Sequence, residues 1–184
     1  MSKVKCDIGS NKYLESHDGE ASHSLTVRVF LSYAHPDERL RQALEKHLSA
    51  LRRSNLIDMW HDRCLKPGTE YEADIDSHLE AADLVILLIS PDFVTSNYCY
   101  QREMQLALKR HASKKARVVP VVLRPVDWLE TPIGTLLSLP RDGKPITTWS
   151  IRDEALLNVA VGIRHVVNAI VEEKRARVSS HRPL

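Results

Sequence analysis

From Leu25 onward, short apolar runs rich in β-branched residues alternate with stretches whose apolar residues recur every three or four positions. The runs at 27–32, 56–60, 83–90, 116–123 and 145–149 predict five strands, and the helical spacing predicts helices over 36–53, 71–82, 96–111 and 153–171. Leu40, Leu44, Leu48 and Leu51 share one face of the first helix, as Ile75, Leu79 and Ala82 share one face of the second. The run from Leu84 to Ile89 is apolar at every position rather than alternating, as expected of a strand covered on both sides in a parallel sheet. Leu156, Val159, Ile163, Val166 and Ile170 give the last helix a broad apolar face that closes the core. The expected architecture is one α/β domain over 25–172, with a polar leader at 1–24 and a basic, flexible tail at 173–184.

In open sheets of this kind, ligands bind beyond the carboxyl ends of the strands, near the point where the strand order reverses. Three loops therefore bear watching: 32–37, 61–70 and 90–96. The chain of 184 residues fits one domain of ordinary size. Lys plus Arg is 26 and Asp plus Glu is 24, and a net charge of +2 lacks the basic stripe that nucleic-acid binding uses, so nucleic acid is not expected as a partner. Cys6, Cys64 and Cys99 are odd in number and irregularly spaced, with no metal-ligand pattern, which fits a reducing cytoplasm and no metal site. The longest apolar run, at 84–89, is too short to cross a bilayer, so no membrane partner is expected.

Each loop supports a plain and a chemical reading. Ser32, Tyr33 and Asp37 follow the first strand, where Pro36 and Asp37 suit the opening of a helix, and helix capping and ligand contact are compatible there. The loop Trp60-His61-Asp62-Arg63-Cys64-Leu65-Lys66-Pro67-Gly68 carries both charges and an imidazole on a Pro-Gly turn, able to cover a polar ligand. Cys99, Glu103 and Ala107 fall four apart, on one face of the third helix. Composition alone favours Glu103 as an ordinary boundary carboxylate and Cys99 as a buried structural thiol.

These residues together resemble bacterial TIR domains. The resemblance runs from Val27 to Val171 and rests on three features: Phe30-Leu31-Ser32-Tyr33 on the first strand; Trp60-His61-Asp62 with the Pro67-Gly68 loop; and Ser90-Pro91-Asp92-Phe93 leading to Ser96, Tyr98, Cys99 and Glu103. The stretches at 120–128 and 139–149 are similar to a prokaryotic subset often fused to other modules.

The resemblance implies a flavodoxin-like, three-layer fold with a five-stranded parallel sheet. It also implies NAD⁺ glycohydrolase activity, releasing nicotinamide and leaving ADP-ribose or a cyclic isomer of it, with NAD⁺ as substrate and no cofactor. Glu103 matches the catalytic glutamate of the enzymatic members, and Ser32, Tyr33, Asp37, Asp62, Arg63 and Cys99 are the implied substrate contacts. Several such enzymes carry a Trp four residues before that glutamate, where this chain has Cys99. Activation by head-to-tail assembly with other TIR protomers, a fused or separate sensor, and a role in antiviral defence are likewise implied. The competing expectation is a non-catalytic TIR module that signals by assembly alone. A phospho-acceptor receiver is disfavoured because Ser90-Pro91 stands where its Asp belongs, and a nucleoside deoxyribosyltransferase does not account for Trp60-His61-Asp62.

Overall fold

In the computed structural model, which describes residues 25–61, 71–96 and 102–180, four strands form one sheet: β1 (Val27–Ser32), β2 (Ile57–Trp60), β3 (Leu84–Ile89) and β4 (Arg117–Val122). Every pairing is parallel and the order is β2-β1-β3-β4. These are the first four places of the flavodoxin-like order, whose switch point lies between β1 and β3. The expected leader at 1–24 lies outside the described residues.

Strand alternation divides the core in two. Val27, Val29 and Leu31 of β1, with Leu84, Ile86 and Leu88 of β3, face α1 (Glu38–His47), α2 (Ser49–Arg53) and α6 (Arg152–Ser180). Phe30, Val85, Leu87 and Ile89 face α3 (Tyr71–Ala81), α4 (Pro91–Thr95) and α5 (Met104–Ala112). All six residues of β3 are buried, in agreement with its uniformly apolar sequence. The predicted first helix is interrupted at Leu48 and preceded by a 3-10 turn over His35–Asp37, while Leu44, Leu48 and Leu51 still point into the core.

The expected fifth strand is not formed. Residues 145–149 instead contain a 3-10 turn, Ile146–Thr148, which buries Ile146 and donates the Thr147 amide to Leu123 O at 3.1 Å. Beside β4 there is a single bridge, Val121 with Leu139. Pro140 follows Leu139 directly and Pro145 precedes the turn, and neither has an N–H with which to extend a ladder.

Helix α6 runs past Val171 to Ser180, through most of the segment read as a flexible tail. Residues 172–177 are mostly good helix formers, and Glu172 pairs with Arg175 at 2.7 Å. Lys174 Nζ donates to Thr26 O at 2.9 Å and to Asp83 Oδ2 at 2.7 Å, fastening the helix to the amino-terminal edge of the sheet. By length and composition α6 could span a bilayer, yet its apolar stripe of Leu156, Val159, Ile163 and Val167 is packed on the sheet. Lys174→Met is expected to lower stability by about 1–2 kcal/mol in urea titration, since it removes two charge-assisted bonds at a partly exposed site.

Candidate functional site

Glu103 lies in a π-type turn with Arg102, immediately before α5, and is 4% exposed. Such turns recur at functional positions because they redirect one side chain without ending the helix. Glu103 Oε2 accepts a hydrogen bond from the hydroxyl of Ser32, the buried last residue of β1. On the neighbouring residue, Arg102 makes a two-pronged ion pair with Asp76 of α3, Nη2 to Oδ2 at 2.6 Å and Nε to Oδ1 at 3.3 Å, so the turn is tied to an adjacent helix.

Asp37 forms the matching contact on the next strand. It is 2% exposed, accepts the hydroxyl of Ser90 just beyond β3, and lies 2.9 Å from Arg124 Nε, while Arg124 Nη2 also pairs with Asp92. The sequence reading allowed Asp37 a capping role, but its side chain makes no cap bond to α1. A side-chain cap is present instead at α4, where Ser90 Oγ accepts from the Phe93 amide at 3.1 Å. The two carboxylates therefore cross the switch point in opposite directions. Asp37 follows β1 and is held at the end of β3, whereas Glu103 follows β3 and is held at the end of β1. Asp37→Ala is expected to cost about 2–4 kcal/mol, because it removes the buried partner of Arg124 and the acceptor of Ser90. A urea-midpoint comparison with the parent checks this.

Tyr33, the next residue after Ser32, belongs to the other side of the sheet and packs with the α1 and α6 core. Its hydroxyl donates to Glu38 Oε2 at 2.7 Å, and the Arg41 guanidinium lies over its ring, 5.2 Å from the centroid. Arg41 is 4% exposed and grips Glu38 with two bonds, Nη2 to Oε1 at 2.7 Å and Nε to Oε2 at 3.0 Å. Its Nη1 meets Glu45 and, at 2.9 Å, Nε2 of His61. The same His61 Nε2 also lies 3.3 Å from Glu45 Oε1, so the imidazole meets the guanidinium and a carboxylate together.

The hydrogen bond from Arg41, aided by Tyr33 and Gln42, outweighs burial and lowers the Glu38 carboxyl to about 2. Burial alone would weaken the Arg41 charge, but the bond to Glu38 and the fields of Glu45 and Glu38 raise its pKa above the usual arginine value. This cluster anchors the end of β2, since His61 directly follows Trp60. Trp60 itself stacks between Phe30, at 5.2 Å, and His78, at 4.2 Å between ring centroids.

Of the expected site residues, the structure brings Ser32 to Glu103, places Asp37 with Ser90 and Arg124, and sends Tyr33 to a separate cluster. Asp62, Arg63 and Cys99 lie outside the described residues. Sequence reasoning passed over Arg41, Glu38, Glu45 and Arg124. The i, i+3 and i, i+4 spacing of Glu38, Arg41 and Glu45 was a usable signal.

These features define a doubly wound parallel α/β domain with a buried carboxylate at its switch point. The chain belongs to the TIR-domain family, whose model matches residues 29–155. It is 47% identical over 148 residues to the protein described as uncharacterized protein y4lF of Sinorhizobium fredii. That alignment takes in 80% of this chain and 46% of the relative, so the chain spans less than half of that protein. The crystal structure of the TIR domain of the Toll-related receptor TRR-2 from Hydra magnipapillata is similar in fold, with a TM-score of 0.53 and 22% identity, covering 76% of this chain and 99% of that one. TIR domains generally self-associate.

Proposed function

We propose that this TIR domain cleaves NAD⁺ between nicotinamide and ribose, with Glu103 as the carboxylate that stabilises the ribosyl cation. The observation that carries the reading is the placement of Glu103: an acidic side chain, 4% exposed, held by a serine at the carboxyl edge of the sheet beside the switch point. A carboxylate with little water around it stabilises a developing positive charge far more than a surface carboxylate does. Nicotinamide departs with the bonding electron pair as a neutral base and needs no acid. Water then captures the ribosyl cation and loses a proton, giving ADP-ribose, or an adenine nitrogen of the same molecule captures it, giving a cyclic isomer.

NAD⁺ is the substrate and no cofactor takes part. Asp62, Arg63 and Cys99, which lie outside the described residues, would border the substrate, and Asp37 would shape the neighbouring edge. Tyr33, bonded to Glu38, would act through the packing of α1. Head-to-tail assembly with other TIR protomers switches the enzyme on, a fused or separate sensor triggers assembly, and the setting is antiviral defence in a bacterial cytoplasm. Membership of the TIR family supports the assembly step.

The competing reading is a module that signals by assembly without catalysis. The self-association general to TIR domains is what favours it. Incubating concentrated protein with NAD⁺, with and without a crowding agent, and separating the products by chromatography distinguishes the two. Accumulating nicotinamide supports the enzyme, and intact NAD⁺ in the assembled state supports the scaffold.

A further inference from the structure

Ser32 ends β1, a strand flanked on both sides by β2 and β3, and is 1% exposed. A hydroxyl has one hydrogen to give, and that of Ser32 goes to Glu103 Oε2. Ser32 therefore has no hydrogen left to donate to a ligand while this bond holds. Burial penalises the ionised form of a carboxylate, and a donor aimed at the charged oxygen opposes that penalty. The donor is also on the rigid partner: Ser32 is fixed in the sheet, whereas Glu103 is carried by a turn at a helix start.

We infer that Ser32 is a positioning residue, whose hydroxyl orients the Glu103 carboxylate and keeps it anionic. This rests on the proposed function only for the use made of the anion, since the contact itself is structural. The molecule also holds an internal control. Ser90 makes the analogous bond to Asp37 on the neighbouring strand, in a pair already neutralised by Arg124. Loss of a buried serine–carboxylate bond can thus be separated from loss of this particular one.

The test compares Ser32→Ala, Ser32→Thr and Ser90→Ala by two readouts. One is the titration of the Glu103 carboxyl carbon by NMR in ¹³C-glutamate-labelled protein, its signal assigned by its disappearance in Glu103→Gln. The other is the pH profile of nicotinamide release from NAD⁺ by the assembled protein. Ser32→Ala is expected to move the carboxyl titration and the acid limb of the rate to higher pH together. Its rate should fall on the order of tenfold below the limb and approach the parent's above it. Ser32→Thr restores both, and Ser90→Ala lowers stability while moving neither. An unmoved Glu103 titration in Ser32→Ala, or an equal displacement in Ser90→Ala, overturns the inference. If the assembled parent releases no nicotinamide, the proposed function fails, and the carbon titration still decides the role of Ser32.

Discussion

Glu103→Gln is expected to lower nicotinamide release by the assembled protein on the order of 10²–10³-fold, with little change in thermal stability. The amide oxygen of Gln still accepts the Ser32 hydroxyl, so the substitution removes the charge and leaves the bond in place. A role confined to holding the turn together would survive this change, and a role in stabilising a cation would not. If the effect falls on the maximal rate rather than on the Michaelis constant, the lost interaction is one made in the transition state. Parallel melting curves guard against attributing unfolding to chemistry.

Arg41→Met is expected to destabilise the domain by about 2–4 kcal/mol while preserving most of the apolar volume. The Arg41 side chain is 5% exposed and holds Glu38 and Glu45, whose side chains are 27% and 21% exposed, together with His61. Removing it leaves two partly buried carboxylates without their shared cation and takes the donor from His61. Solvent reaching the carboxylates keeps the expected cost below that of a fully buried triad.

The same cluster makes stability depend on pH in a defined direction. The Glu38 carboxyl is lowered from 4.5 to about 2, so its contribution is fully present above pH 4.5 and is lost as pH falls from there toward 2. Urea titrations across that window should show this acid loss in the parent and much less of it in Arg41→Met. Adding Glu38→Gln and Glu45→Gln to Arg41→Met should recover part of the lost stability, which a comparison of the triple variant with Arg41→Met at neutral pH can read.

What was legible in the sequence followed from periodicity. The six-residue apolar run of β3 could only be satisfied by cover on both faces, and the leucine stripe through Leu44, Leu48 and Leu51 kept its direction although the helix breaks at Leu48. Local propensity misled at 145–149. Ile146, Thr147, Thr148 and Trp149 are a strand-like set, but Pro140 and Pro145 deny the segment the donors a ladder needs. The extent of α6 was missed because hydrophobic periodicity ends near Val171, whereas the helix is secured beyond that point by Lys174 and by the ion pair of Glu173 with Arg117.

The candidate site was legible as a set of loops and illegible as a set of bonds. Ser32 and Glu103 are 71 positions apart, and Ser90 and Asp37 are 53 apart, so neither pairing has a local signature. Strand alternation could have warned that consecutive residues such as Ser32 and Tyr33 serve opposite faces. The Arg41 cluster carried a helical spacing, but the same spacing is common on solvated surfaces. Only the convergence of Tyr33 and His61 onto it marks it as interior.

The most direct test is nicotinamide release from NAD⁺, measured side by side for the parent and Glu103→Gln under identical conditions that enforce assembly. Turnover by the assembled parent, little from the dispersed parent, and a loss on the order of 10²–10³-fold in the variant are expected. Turnover that is absent from the assembled parent, or equal in the two proteins, would contradict it.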